Sequence, residues 1–337
     1  MKSEIDSALI LSLQRGIPLD CEPYATVGRP FGLSSAEVLE KIATFREQGY
    51  IRRIGAVFNV SQLGYRSALC GITVPIEVID SVVARLLPYP GITHCYLRDP
   101  GSPQASLPNL WFTLSTLGER FDETLLELQH QIQFPIRVAP ATRKFKVQVV
   151  LDPAQLSVAQ AIPKSEEPDS ELPWMGTEFV CTNEQERRLI VLLHQDFPAD
   201  PHPYSLIAAK TGYSEAELLK ILENWKSLGA LRRIAMLARH QKLGFNANAM
   251  CTWQVSADRI IEAGTRLASR KEITHCYERP PFEGFPYNLF AMIHADTEPH
   301  VRALAQDLSE YIGEPLGRLF LSVKEYKKTS LVPFSEG

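Results

Sequence analysis

Nearly everything in this chain is written twice, and a duplication restricts the fold to one that two copies can build together. The string ITHCYLR begins at Ile92 and ITHCYER at Ile273; six of seven positions agree, at an offset of 181. Upstream, GYIRRIGAVFNVSQLGY from Gly49 matches GALRRIAMLARHQKLGF from Gly229 at an offset of 180. Downstream, PNLWFTL from Pro108 matches YNLFAMI from Tyr287 at 179, and RKFKVQVVLD from Arg143 matches KEYKKTSLVP from Lys324. With 337 residues, each copy is long enough to bury a core of its own. Residues 152–176 lie between the copies and carry four prolines and an acidic cluster, so they read as an extended, solvated linker.

Both copies share one grammar. In the second, residues 184–195 and 204–211 have helical patterns, and Ser214 with Glu217 forms a capping-box signature for a helix to Leu228. Gly229 stops that helix, and ALRRIAMLAR reads as a strand, which gives a winged helix-turn-helix. Strand 246–255, helix 258–270, strands 272–279 and 288–295, helix 298–312 and strand 317–328 follow. This βαββαβ order is ferredoxin-like, and the first copy repeats it from Arg66 to Val150. The expected class is α+β, with two tandem copies forming a pseudo-dimer. The expected divisions are a winged helix-turn-helix over 1–65, a ferredoxin-like ligand-binding-type domain over 66–151 and the linker over 152–177. A second winged helix-turn-helix over 178–245 and a second ferredoxin-like domain over 246–337 complete the chain.

Several function classes lose support. A net charge of -4 gives no global attraction to nucleic acid. The helices SSAEVLEKIATFREQG and SEAELLKILENWKSLG each sum to -1, which argues against DNA reading. No run reaches the ~18 apolar residues of a membrane span, and the charged, interrupted N-terminus is no signal peptide. Six cysteines without a Cys-x-x-Cys pair read as reduced thiols of a cytoplasmic protein.

The repeated string carries the chemistry. Alternate strand residues share a face, so His275, Tyr277 and Arg279 lie together, as do Asn288, Phe290, Met292 and His294 on the next strand. A loop centred on 280–287 sets 277 opposite 290 and 275 opposite 292. His275 and His294 then become diagonal neighbours, about 7–8 Å apart at the backbone. Thr274, Cys276, Leu289, Ala291 and Ile293 fall on the other face and suit packing against helices. The first copy keeps His94, Tyr96, Arg98 and Asn109 but has FTLST where the second has His294, so one site is complete and its twin degenerate. Arg52, Arg53, Arg232 and Arg233 sit on the paired RRI strands; one of each pair is expected to point inward, either to a carboxylate ligand or to an acid of the fold. His130, His194, His202 and His300 read as structural or exposed, and His240 as a weaker candidate because Val60 stands in its place in the first copy.

A winged helix-turn-helix followed by βαββαβ resembles the Lrp/AsnC regulators. More specifically, RRIGAVFN…LGY, THCY-R and YNLF-MIH together resemble the siroheme decarboxylases, in a form with the two subunits fused. The resemblance implies loss of carbon dioxide from the C12 and C18 acetates of siroheme, giving 12,18-didecarboxysiroheme for heme d1 or for an alternative heme route. It implies His275 and His294 as catalytic residues, one protonating carbon while the other orients the carboxylate or approaches iron. Arg232, Arg233, Tyr277, Arg279, Asn288, Met292, Arg52, Arg53 and His94 are then the substrate-binding residues, with Phe290, Met292 and Trp253 or Tyr277 as apolar walls. No separate cofactor is implied, since the iron belongs to the substrate, and the chain alone offers no metal-binding string. Siroheme is the expected partner, with a second copy or related decarboxylase subunits as further associations and with neither membrane nor DNA. The alternatives are a non-catalytic tetrapyrrole sensor and an amino-acid-responsive regulator.

Overall fold

The computed structural model describes residues 4–101, 107–147, 150 and 183–334. The linker and Cys181 lie outside these residues. In each copy three helices come first: α1 (Glu4–Arg15), α2 (Pro23–Gly28) and α3 (Ser35–Glu47), then α6 (Glu184–His194), α7 (Pro203–Thr211) and α8 (Glu215–Ser227). Both α3 and α8 start with complete capping boxes, in which the Ser34 and Ser214 hydroxyls accept the Glu37 and Glu217 amides, while the glutamates accept the serine amides. Both helices end where Gly49 and Gly229 take φ values of +75° and +73°, a conformation glycine adopts without steric cost.

The strands that follow, β1 (Ile51–Phe58) and β7 (Leu231–Ala238), are single strands rather than hairpin wings. They pair with each other, antiparallel, across the two copies. Helix α1 packs on β7 and α6 on β1. Ile17 donates its amide to Ile234 and Phe197 donates to Ile54, so each copy's first helix is tied to the other copy's strand. Leu9, Leu13, Phe45, Leu189, Leu193 and Trp225 belong to one shared core. The pseudo-dimer therefore begins at its helix-turn-helix units.

The ferredoxin-like units are interlocked more deeply. The first contributes β2 (Tyr65–Ile72), α4 (Ile79–Leu86), β3 (Ile92–Asp99), β4 (Leu110–Leu117), α5 (Phe121–Ile132), β5 (Arg137–Pro140) and β6 (Arg143–Val147). The second contributes β8 (Ala247–Trp253), α9 (Ile260–Ser269), β9 (Ile273–Glu278), β10 (Leu289–Ala295), α10 (Glu298–Ile312) and β11 (Arg318–Lys328). Among the described residues nine strands form one sheet, in the order β5-β2-β4-β3-β11-β8-β10-β9-β6. The long β11 pairs its start with β8 and its end with β3 of the other copy. In the first copy the equivalent strand bends at Ala141 and Thr142, so β5 pairs with β2 while β6 crosses to β9. The two ends of the sheet are thus consecutive in the chain, and the sheet closes on itself as a barrel.

Helices α4 and α5 cover one half of the outer face, and α9 and α10 the other, each over its own apolar cluster. Inside, Trp111, Met250, Phe285, Phe290 and Phe320 form a separate apolar cluster. Trp253 lies on the outer side instead, fully buried, with its indole NH bonded to Ser309 at 2.8 Å. It cannot line the interior. Cys21, Cys70, Cys95, Cys251 and Cys276 are free thiols. Among the described residues no helix is long and apolar enough to cross a membrane.

The crossing strand β6 docks where helix α9 carries Gly264. A Cβ there would stand 2.3 Å from the Phe145 ring. In an ordinary helix interior Gly→Ala stabilises by about 1 kcal/mol. Here Gly264→Ala is expected to destabilise by roughly 1–3 kcal/mol, as overpacking does, lowering the thermal midpoint. A raised midpoint would mean that β6 does not cross to the second copy.

Candidate active site

The register expected from the sequence is present. Phe290 lies opposite Tyr277 and Met292 opposite His275. A bulge then intervenes, since Ile293 pairs with Ile273 and skips Thr274. The bulge changes the role of Thr274, which simple alternation would send to the helix side. Its hydroxyl lies 3.1 Å from His275 Nδ1 and 3.2 Å from His294 Nε2. The hydroxyl donates to the Met292 carbonyl at 3.4 Å and can accept from both rings, so Thr274 links the two histidines and fixes their relative orientation. The first copy has the same bulge, with Thr93 3.0 Å from His94 Nδ1, but Ser115 occupies the position of His294.

His94, His275 and His294 are half-buried inside the closed barrel. They line its interior without being sealed into packed core. His94 and His275 come from different copies, yet each copy's string faces this shared interior, and the charge of one would weigh on the other. His240 also reaches it, from the turn after β7. It is buried, its ring centroid lies 5.8 Å from that of His294, and Lys328 Nζ donates to its Nδ1 at 2.9 Å. From the sequence alone His240 reads as a weaker candidate and Thr274 as a packing residue, and Lys328 belongs to the tail that matches residues 143–152. The usable signal was the set of positions where the copies differ: Val60 against His240, Ser115 against His294, and Val147 against Lys328.

The electrostatics of this interior are uniform in sign. Burial pushes His275 down to about 4, and Arg232, Lys328, Arg279 and Arg233 push it the same way. Burial with Lys328 and His275 takes His94 down to about 3, and burial with Lys328 and Arg52 takes His240 down to about 4. His294 falls well below its ordinary value by burial and by His240 and Lys328. All four rings are therefore neutral near pH 7 in the free protein.

The remaining candidates separate into two groups. Arg232 lies near His275 and donates to the Val147 carbonyl at 3.4 Å, Arg233 also acts on His275, and Met292 faces the interior beside Arg98. Tyr277 stacks against His275, and the Arg279 guanidinium lies 4.7 Å over the Tyr277 ring. Arg279 is buried and donates to the Ala139 carbonyl of β5, so it also secures the barrel seam. Asn288 is turned away: its carboxamide clamps Val255, accepting its amide at 2.9 Å and donating to its carbonyl at 2.8 Å. Asn109 does the same with Val74. The paired arginines do not divide into one inward and one solvent residue, because all four are half-buried. Arg52 bonds Ser330, whereas Arg53 donates to the His194 carbonyl at the end of α6.

Known proteins align with this architecture from end to end. The AsnC-like ligand binding domain model matches residues 62–146 and 242–327, and the siroheme decarboxylase NirDL-like HTH domain model matches 6–52 and 186–232. A siroheme decarboxylase of Hydrogenobacter thermophilus is 31% identical over 339 residues, covering 100% of this chain and 96% of that protein. The siroheme decarboxylase beta subunit of Methanosarcina barkeri is 38% identical over 144 residues, 43% of this chain and 95% of its own length. The crystal structure of the siroheme decarboxylase NirDL superposes with a TM-score of 0.72 at 29% identity, covering 99% of this chain and 95% of that one. The same enzyme has been solved with an iron-uroporphyrin III analogue, with a TM-score of 0.71. One relative spans both copies and another spans one, and by these matches the chain belongs to the siroheme decarboxylase family.

Proposed function

We propose that the chain removes carbon dioxide from the C12 and C18 acetate side chains of siroheme, giving 12,18-didecarboxysiroheme in the cytoplasm for heme d1 or an alternative heme. The observation that carries this reading is the pair His275 and His294, held by one threonine hydroxyl inside a barrel rich in cations. Siroheme brings eight carboxylates, and Arg232 and Arg233 are guanidinium groups acting on His275 that suit them. Phe290 and Met292, with Tyr277, supply apolar surface for the macrocycle. Each decarboxylation breaks a carbon–carbon bond and leaves an electron pair on the methylene carbon, which takes one proton to become methyl. A histidine beside that carbon is a suitable donor. The bound polyanion opposes the cations that hold the rings neutral, so binding raises the histidine pKa values toward the range in which proton transfer is efficient. No separate cofactor enters this scheme, and the fused chain supplies both subunit types.

The test is anaerobic conversion of siroheme, followed by mass loss of one and then two carbon dioxide units. His275→Ala and His294→Ala should each slow conversion by about 10²–10⁴-fold while siroheme still binds. His94→Ala should retain much more activity, because its copy lacks the second histidine. Near-parental turnover of either of the first two variants would remove that histidine from the reaction.

Arginine replacement reads the binding side. Arg232→Lys and Arg233→Lys keep the charge but lose the planar fork, and at least one should weaken tetrapyrrole affinity about tenfold, the worth of one charge-assisted hydrogen bond. Parental affinity in both, measured by spectral titration, would make these arginines structural.

A further inference from the structure

The two copies differ at three polar positions that the fold then gathers. His240, His294 and Lys328 correspond to Val60, Ser115 and Val147. They arrive from the turn after β7, from β10 and from the end of β11, which are far apart in the sequence. Lys328 lies opposite His94 in the sheet, just as Val147 lies opposite His275, so the correspondence holds in the structure as well as in the alignment. In space the three residues form a contiguous line. Lys328 Nζ donates to His240 Nδ1 at 2.9 Å, the His240 and His294 rings lie 5.8 Å apart, and His294 Nε2 meets the hydroxyl of Thr274. Beyond Thr274 stands His275. The other ring nitrogen of His294, Nδ1, is shut off from solvent and has no hydrogen-bond partner among the described residues.

We infer that Lys328 and His240 form the proton-supplying end of a relay, in which Lys328 passes a proton through His240 to His294 and so reloads the pair that protonates substrate carbon. This rests on the decarboxylase reading. The proton balance requires such a supply. R–CH2–COO⁻ and one proton give R–CH3 and carbon dioxide, and two such events consume two protons inside a closed barrel. The four histidines there are neutral in the free protein. Arginine does not release its proton. Lys328 is the ammonium in direct contact with the histidine line, and burial lowers its pKa, which makes the proton easier to give up. It becomes a neutral amine and recovers its proton from water. The other charged groups that act on the pair are Arg52 from β1, Arg98 from β3 and Glu325 on the same strand, with His94, His275 and His294 facing from β3, β9 and β10.

Lys328 acts through His240 and is a positioning and supply residue, so its test needs more than a rate. Single-turnover decarboxylation of siroheme by the full chain is compared for the parent, Lys328→Met, Lys328→Arg and His240→Val. Lys328→Met and His240→Val should bind siroheme normally and react about tenfold slower or worse at neutral pH. The rate of Lys328→Met should rise about tenfold for each unit fall in pH, since protons now come from solvent, whereas the parent should be flatter. Lys328→Arg keeps the charge without the transferable proton and should also be slow. A parental rate in Lys328→Arg would reduce Lys328 to a fixed charge, and a parental rate and pH profile in Lys328→Met would remove it altogether; either overturns the relay. Histidine titration of the substrate-free protein by NMR separates failures. Loss of the ammonium should raise the His240 pKa in Lys328→Met, and an unchanged His240 titration overturns the contact even if the parent proves inert toward siroheme. An inert parent with a shifted His240 would count against the siroheme reading and leave the pair in place.

Discussion

The pairing of strands across the two copies is the constraint on which the rest depends. Strand β11 bridges β8 and β3, and the bent pair β5 and β6 bridges β2 and β9. Without these crossings each ferredoxin-like unit would be an open sheet, with its histidines on a face exposed to water. With them the faces become the inside of one barrel, and the strings around His94 and His275 look into the same space. The seam is reinforced by side chains that also bear on the site. Arg279 reaches the Ala139 carbonyl across it while covering Tyr277, and Arg98 reaches Ser322 and Phe320 while lying over Tyr96. Stability of the closed form and orientation of the aromatic residues beside the histidines are therefore carried by the same two arginines.

Closure also sets the electrostatics. A partly buried interior that contains Lys328 and several arginines disfavours any further positive charge, so the histidines discharge. Such a chamber attracts a polyanion, and a bound polyanion is what reverses the field. The same residues can thus be neutral in the empty protein and protonated in the complex, which ties readiness for proton transfer to occupancy.

Much of this was legible in the sequence because duplication fixes offsets and strand alternation fixes faces. Every second-copy element appeared within a few residues of its expected span, and the pairing of 277 with 290 and 275 with 292 followed from loop length alone. What alternation cannot reveal is a bulge, and the bulge at Thr274 is what brings the threonine between the two histidines. Nor can it reveal where a strand crosses to another copy, so Val147 and Lys328 looked like an unremarkable tail. Asn288 resembled a ligand because it stood in a polar string, but a carboxamide at a strand end can satisfy an adjacent loop backbone, and Val255 takes both of its groups. Of Trp253 and Tyr277, the two aromatic residues offered as a wall, Trp253 packs on the helix side, which only the β8 register reveals. The asymmetry between copies was visible throughout, yet only the fold shows that His240, His294 and Lys328 converge on one point.

The proposed function requires one reaction centre in the shared interior, completed by residues that only the second copy carries. Binding stoichiometry tests this most directly. Anaerobic spectral titration of the full chain with siroheme should end at one tetrapyrrole per polypeptide, and the end point should be unchanged in His94→Ala. Two equivalent tetrapyrroles per polypeptide would mean that each copy holds its own site, which contradicts a single shared chamber.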